Sequence, residues 1–294
     1  MAVALVTGTS TGIGLATAVA FARAGHDVYA TMRHPDRAPE LASTAAKDTL
    51  PIKILPMDVD DDASVVKATA QVLAGGGRID VLVNNAGIDL KGPIEELPLA
   101  EFRRVMETNY FGALRCIQAV VPRMRARRSG HVINVTSIAG RVSVASQAPY
   151  AASKWALEAA SEALAQEVKS FGIHVSIVEP GVIATPIFDK RREVPANTRY
   201  PQERRLNAFF NASLKQPISP LLIADKIVEI VESKTWKLRH PVGPDAEPLL
   251  AFRASMTDEQ WVDLHSIERD QEWAAVLKRD IGLDVVLPSE PELA

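Results

Sequence analysis

The chain holds one cysteine, Cys116, in 294 residues. A lone thiol excludes an internal disulfide and suits a reducing compartment, so a cytoplasmic protein is the expectation. Cys116 falls inside an apolar helical stretch and reads as core. There is no run of ~18 apolar residues, and no helix is expected to cross a bilayer. The start, Met1-Ala2-Val3-Ala4-Leu5, has no basic segment and passes straight into a strand-like run, so no signal peptide is expected. The sequons at Asn134 and Asn211 are then without consequence. Charge of either sign is not in excess: 33 Lys and Arg face 36 Asp and Glu, a net −3, which gives no reason to expect nucleic-acid binding. The arginines at 123, 125, 127 and 128 sit at a helix end, where cations suit the dipole. The six histidines are scattered without ligand spacing, and no metal site is expected. With 47% hydrophobic residues the chain can bury one large core, and residues 1–294 are expected to form a single domain.

What is present starts with Tyr150 and Lys154 in Ala148-Pro149-Tyr150-Ala151-Ala152-Ser153-Lys154. Residues at i and i+4 of a helix share a face, so phenol and ammonium point into the same space. A nearby cation favours the phenolate and is expected to draw the tyrosine below its ordinary pKa of ~10. Ser137 ends the apolar run His131-Val132-Ile133-Asn134-Val135-Thr136, where its hydroxyl can orient a carbonyl or alcohol oxygen beside that phenol. Together these make a proton-transfer site in outline. A solvated lysine beside a packed tyrosine is the bland alternative.

The N-terminus supplies a partner. Ala2 to Val6 is a short continuous apolar run, as in a strand buried on both faces of a parallel sheet. It leads into Thr7-Gly8-Thr9-Ser10-Thr11-Gly12-Ile13-Gly14 and then a helical pattern closing near Gly25. In a dinucleotide-binding unit such glycines serve the tight turn (Gly8), close approach of a pyrophosphate (Gly12) and helix–strand packing (Gly14). The helix N-terminus offers free N–H groups and a positive dipole end to the phosphates. Strand-like runs then alternate with helical ones: strands near 2–7, 27–31, 52–57, 79–84, 131–136, 174–178 and 238–242, helices near 13–25, 62–74, 100–127, 150–171 and 220–233. The pattern predicts an α/β fold, a doubly wound Rossmann-type parallel sheet of about seven strands with helices on both faces. Every motif then lies on the rim formed by the strand C-terminal ends.

The spacing Gly8-x-x-x-Gly12-Ile13-Gly14, with Asn84-Asn85-Ala86-Gly87, Asn109, Ser137, Tyr150, Lys154 and Glu179-Pro180-Gly181 in that order, resembles the classical short-chain dehydrogenases/reductases. The resemblance covers roughly residues 1–190 well and 220–245 loosely. It implies an oxidoreductase in which hydride passes between a nicotinamide and a carbonyl or secondary alcohol. Tyr150 would be the general acid/base, Lys154 would hold the nicotinamide ribose, and Ser137 would bind the reacting oxygen. Asn109 would hold a water linking Lys154 to solvent. It further implies that Gly8, Thr9, Ser10, Thr11, Gly12, Ile13 and Gly14 cradle the phosphates, with Asn85, Ala86 and Gly87 beside them. Asp58 and Val59 would meet the adenine, and Pro180, Gly181, Val182 and Thr185 would close over the nicotinamide. At the end of the second strand, where NAD enzymes carry an acidic residue for the ribose 2′-hydroxyl, stand Met32 and Arg33. A guanidinium suits a 2′-phosphate, so NADP is expected in preference to NAD. That ending is similar to the NADP-preferring 17β-hydroxysteroid dehydrogenase type 1 and retinol dehydrogenase-like group. A homodimer or homotetramer through helices 100–127 and 150–171 is implied by analogy.

Two segments are expected to line the substrate pocket. One is 139–144, with Val142 and Ser143; the other follows Thr185. Residues 186–220 are rich in Arg, Asn, Gln and Pro yet hold Phe188, Tyr200, Phe209 and Phe210, which suggests a partly helical lid and a lipophilic substrate such as a steroid, retinoid or aromatic ketone. Residues 246–287 form a C-terminal extension. Within it, Met256 to Lys278 reads as one or two amphipathic helices after the cap Thr257, packed on the body or on a neighbouring subunit. Pro288 to Ala294 reads as a disordered tail. Two other functions compete. One is a non-catalytic NADP(H)-binding redox sensor of the same fold; the other is a lyase or dehalogenase that has abandoned the nucleotide, against which the intact glycine turn speaks.

Overall fold

A computed structural model of the protein describes residues 1–188, 194 and 198–287. Seven strands form one parallel sheet: β1 (Val3–Thr7), β2 (Asp27–Met32), β3 (Ile52–Pro56), β4 (Val81–Asn84), β5 (Gly130–Val135), β6 (Ile173–Pro180) and β7 (Arg239–Val242). Their order is β3-β2-β1-β4-β5-β6-β7. The chain reverses direction across the sheet between β1 and β4, and the C-terminal ends of those two strands flank the crevice where such folds bind ligands.

Alternation along β1 builds two cores. Ala4 and Val6 pack with Ala18 and Phe21 of helix α1 (Gly12–Arg23) and with Ile223 and Ile227 of a later helix, Pro220–Glu232. Val3 and Leu5 point the other way, onto Val65 and Val72 of Asp62–Gly76, Ile117 and Val120 of Gly112–Arg127, and Ala165 and Val168 of Ala148–Val168. Helices thus cover both faces, as the near-continuous apolar strands require. In chain order the remaining α-helices are α2 (Pro39–Lys47), α3 (Asp62–Gly76), α4 (Leu99–Met106), α5 (Gly112–Arg127), α6 (Ala148–Val168), α7 (Pro201–Ser213), α8 (Pro220–Glu232), α9 (Ala246–Ala254), α10 (Asp258–Ser266) and α11 (Asp270–Ile281).

Three elements depart from expectation. The helix anticipated over 100–127 is interrupted: α4 and α5 are joined by a π-helical turn, Glu107–Phe111. Helix α2 was not anticipated, because it is only nine residues long and buries a single side chain, Leu41. The C-terminal extension holds three helices, with α10 opened by the expected Thr257, whose hydroxyl and Gln260 form a reciprocal capping box. Parts of the anticipated lid (189–193 and 195–197) and the anticipated disordered tail lie outside the described residues. No helix among the described residues is long and apolar enough to cross a membrane.

Candidate active site

The glycine turn follows β1. Gly8 and Gly12 take positive φ, 69° and 59°. A Cβ on Gly14 would collide with the Gly8 carbonyl oxygen and the Asn85 side chain, so helix and strand approach as closely as bare backbone permits. The Asn85 amide donates to the Thr7 and Gly8 carbonyls at 2.9 and 3.1 Å, while the Thr7 hydroxyl accepts from the Asn85 and Ala86 N–H at 3.0 Å each. These bonds pin the ends of β1 and β4 together. Thr7 heads the glycine turn in the sequence, but nothing in its spacing foretells this pinning role. Helix α1 has no side-chain cap and no acidic residue in its first turn, leaving N–H groups and dipole free for an anion. That opening fits the pyrophosphate of a dinucleotide.

A cavity of about 740 Å³ runs from this turn along the rim. Gly8, Ser10, Thr11, Gly12, Ile13, Met32, Arg33, Asp58 and Val59 line one end. Asn85, Ala86, Gly87, Pro180, Gly181, Val182 and Thr185 follow, then Ser137, Tyr150, Lys154, Val142 and Phe188. Four expected residues do not line it: Thr9, Gly14, Asn109 and Ser143. Thr9 is fully buried, and both its N–H and its hydroxyl donate to the Thr31 carbonyl, which turns it away from the cavity. Ser143 is exposed, and its carbonyl accepts from the Trp261 indole at 2.9 Å, an anchor for α10 rather than a pocket wall. Asp60 and Thr108, not foreseen, line the end where Arg33 sits. The Thr108 hydroxyl donates to Asp60 at 2.9 Å, burial pushes the Asp60 carboxyl up, and the Arg33 charge pulls it back.

At the other end α6 presents Tyr150 and Lys154. The Lys154 ammonium is buried, donates to the Val135 carbonyl at 3.0 Å, and stands 5.6 Å from the centre of the Tyr150 ring. Ser137 closes the triangle. Its hydroxyl hydrogen-bonds the Tyr150 phenol, faces the Pro180 carbonyl at 3.4 Å, and accepts from the Ala139 N–H.

The electrostatics correct one expectation. Burial pushes the phenol of Tyr150 up, the Asp89 charge pushes it the same way, and only the Ser137 hydrogen bond pulls it down. Lys154 is itself lowered to about 8 by burial, partly offset by Glu158 and Asp89. The ammonium therefore surrenders its proton before the phenol ionises, so it does not draw the phenol downward as expected. Desolvation of both groups outweighs their mutual attraction. At neutral pH the pair stands as phenol and ammonium, the form that can give a proton. Behind it, Glu179 is fully buried and pushed up to about 7 by burial and by Glu158, while Arg141 and Arg239 approach it at 3.5 and 4.0 Å.

Asn109 lies in the π-turn between α4 and α5. Its carbonyl oxygen accepts from the Ile88 N–H at 2.8 Å, and its amide donates to the Ile88 carbonyl and to the Ser153 hydroxyl at 2.9 Å each. A Cβ at Gly87 would stand 3.3 Å from the Asn109 oxygen and 3.6 Å from the Lys154 nitrogen, so the three meet at one point. The extra residue of a π-turn rotates a side chain that a continuous α-helix would aim elsewhere.

Leu206 and Phe210 of α7, within the anticipated lid, also line the cavity. Sequence reasoning missed the rest of the roof, Trp261 and His265 of α10 and Trp273, Leu277 and Ile281 of α11. Phe188 packs on Phe210, 5.1 Å between ring centres.

The family model for short-chain dehydrogenases matches residues 2–196. The chain belongs to the classical short-chain dehydrogenase/reductase family. It is 37% identical to retinol dehydrogenase 8 of Bos taurus, over 85% of this chain and 84% of that one. Estradiol 17-beta-dehydrogenase 1 of Rattus norvegicus is 36% identical over 78% of this chain and 68% of its own. Among solved structures, a short-chain dehydrogenase from Streptomyces avermitilis is 36% identical with a TM-score of 0.76, covering 92% of this chain and 97% of that one. A metagenomic short-chain oxidoreductase in complex with NADP is 27% identical with a TM-score of 0.67, covering 82% and 96%. The protein is thus an oxidoreductase of the retinol and 17β-hydroxysteroid dehydrogenase-like group, with the sheet and helices of its relatives.

Proposed function

We propose that the protein is an NADP(H)-dependent reductase of lipophilic ketones, also able to run as an alcohol dehydrogenase. The observation that carries this reading is the meeting of Tyr150, Ser137 and Lys154 at one end of a cavity whose other end is the glycine turn. The bound nicotinamide supplies or takes the hydride. Ser137 holds the carbonyl oxygen of the substrate with a hydrogen bond, and Tyr150 gives that oxygen its proton. Lys154, cationic below about pH 8, stabilises the phenolate that results and offers its ammonium to the ribose. Asn109, with both amide ends engaged, fixes the Ile88 backbone close to Lys154, and a water bound beside them would return protons to Lys154. Phe188, Val142, Leu206, Phe210 and Trp261 exclude water around the substrate's hydrocarbon. Residues 186–220 act as the lid, and the extension 246–287 roofs it, within one domain.

NADP rather than NAD is supported by Met32 and Arg33 at the end of β2, which put a cation where NAD enzymes carry a carboxylate for the ribose hydroxyl; Asp60 also lines this end, and the Arg33 charge offsets it. Arg33→Ala should lower kcat/KM for NADPH about tenfold, since an exposed charge-assisted contact is lost, and leave NADH nearly unchanged. A wild-type preference for NADH would end the cofactor assignment. The exposed Leu99, Phe111 and Trp155, on or beside α4 to α6, fit a homodimer or homotetramer through those helices. A single buried cysteine suits the cytoplasm. The direct test of the whole reading is NADPH oxidation with purified protein over steroids, retinals and aromatic ketones. Cofactor binding without turnover across that panel would instead favour the redox sensor.

A further inference from the structure

The cavity has one polar feature that this chemistry leaves unused. Asp89 lines it, its side chain only 10% exposed. One carboxylate oxygen, Oδ2, pairs with the Lys91 ammonium at 3.1 Å. The other, Oδ1, is buried and meets no hydrogen-bond donor among the described residues. Lys91 is held in turn over the Phe188 and Phe210 rings, 5.0 and 4.1 Å from their centres, so the ion pair is fixed from behind. The backbone is fixed too. Ile88 is bonded at both N–H and carbonyl by Asn109, and Gly87 abuts the Lys154 nitrogen. Two residues span at most ~7 Å of chain, so Asp89 stands beside the reacting centre. Its charge is felt there, by both Tyr150 and Lys154.

Building on the reductase reading, we infer that Asp89 is a substrate-recognition residue, and that its free oxygen accepts from a hydroxyl or ammonium carried next to the ketone of a lipophilic substrate. Val142, Leu206, Phe209 and Phe210, which line the same cavity, offer no side-chain donor. Oδ1 is already shielded and unsatisfied, a costly state for a buried acceptor, and a plain hydrocarbon ketone leaves that cost in place. A ketone bearing an adjacent O–H or N–H donor satisfies Oδ1. Because Lys91 already balances the charge, a neutral hydroxyl suffices, and an ammonium adds charge assistance. The discrimination expected from one such bond is roughly 10- to 100-fold in kcat/KM.

The test compares three substrates on one hydrocarbon chain: a long-chain methyl ketone, its hydroxymethyl ketone counterpart and its dimethylaminomethyl ketone counterpart. Wild-type enzyme should favour the second and third over the first by at least about tenfold. In Asp89→Leu both ratios should fall to near one, whatever happens to absolute rates. Asp89→Asn should keep the hydroxyl preference, since an amide oxygen still accepts, and lose the extra preference for the ammonium. NADPH affinity, read by fluorescence, reports whether each variant has folded; should the leucine variant fail, the asparagine variant carries the test. Ratios near one in the wild type, or unchanged in a folded leucine variant, overturn the inference. If the wild type reduces none of the three nor any member of the wider ketone panel, the reductase reading falls, and this one with it.

Discussion

Tyr150→Phe is expected to lose about three orders of magnitude in kcat for ketone reduction while NADPH affinity changes little. General acid catalysis contributes ~10²–10⁴-fold, and a thousandfold corresponds to ~4 kcal/mol of barrier. The substitution removes one oxygen from a partly enclosed site. The ring remains to face Lys154, Ser137 keeps its contacts with Ala139 and Pro180, and the glycine turn is untouched. The effect should therefore fall on kcat rather than on cofactor binding. The pH profile offers a second reading of the same pair. Lys154 is lowered to about 8, so the cation that stabilises the nascent phenolate is present below that pH and lost above it. Reductive kcat/KM should be level below pH 8 and fall by about a decade per unit above it, because kcat/KM reports the free enzyme. A basic limb at the ordinary lysine value would mean that Lys154 is not the group concerned, and wild-type turnover in the phenylalanine variant would refute the acid/base assignment outright.

That the fold was readable from residues alone follows from where its information lies. Strands buried on both faces are near-continuously apolar, and Val3 to Val6 admits no other reading once helical stretches separate such runs. The glycine turn was legible because its three glycines stand at a fixed spacing directly between an apolar strand and a helical pattern. The catalytic pair was legible because helical periodicity places Tyr150 beside Lys154 wherever α6 ends up. What could not be read depends on contacts between distant segments. The direction of the Tyr150 shift is a competition between desolvation and a cation, and only burial decides it. Thr9 faces inward because β2 brings the Thr31 carbonyl beside it. The π-turn at Asn109 has no periodic signature of its own. The amphipathic pattern of α10 and α11 announced that they would pack, but not that they would pack over the substrate cavity through Trp261 and Trp273.

That roof hangs on Arg205, a large cationic side chain only 2% exposed. From α7 its guanidinium donates to Asp270 at 2.6 Å, to the Ile267 carbonyl at 2.6 Å and to the Glu268 carbonyl at 2.8 Å, and it lies 5.8 Å from the centre of the Trp273 ring. One side chain thus ties the loop between α10 and α11 to the helix beneath. Asp270 is itself 4% exposed, and its other contact, Arg204, is at 3.8 Å. Arg205→Ala strands a buried carboxylate and two carbonyls and should cost ~3–5 kcal/mol. The loss should be local. The apolar cluster around Leu264, Trp273 and Leu277 is separate from the two clusters that flank the sheet, so the extension can open while the sheet stays closed. Limited proteolysis should then cut the variant within residues 258–287, and KM for a lipophilic ketone should rise steeply while NADPH affinity holds, because the glycine turn lies at the far end of the cavity. Replacing both partners with apolar residues, Arg205→Met with Asp270→Leu, should recover much of the protease resistance, since it removes the stranded charge along with its partner. Resistance in Arg205→Ala equal to that of the wild type would show that the roof is held by its apolar contacts alone.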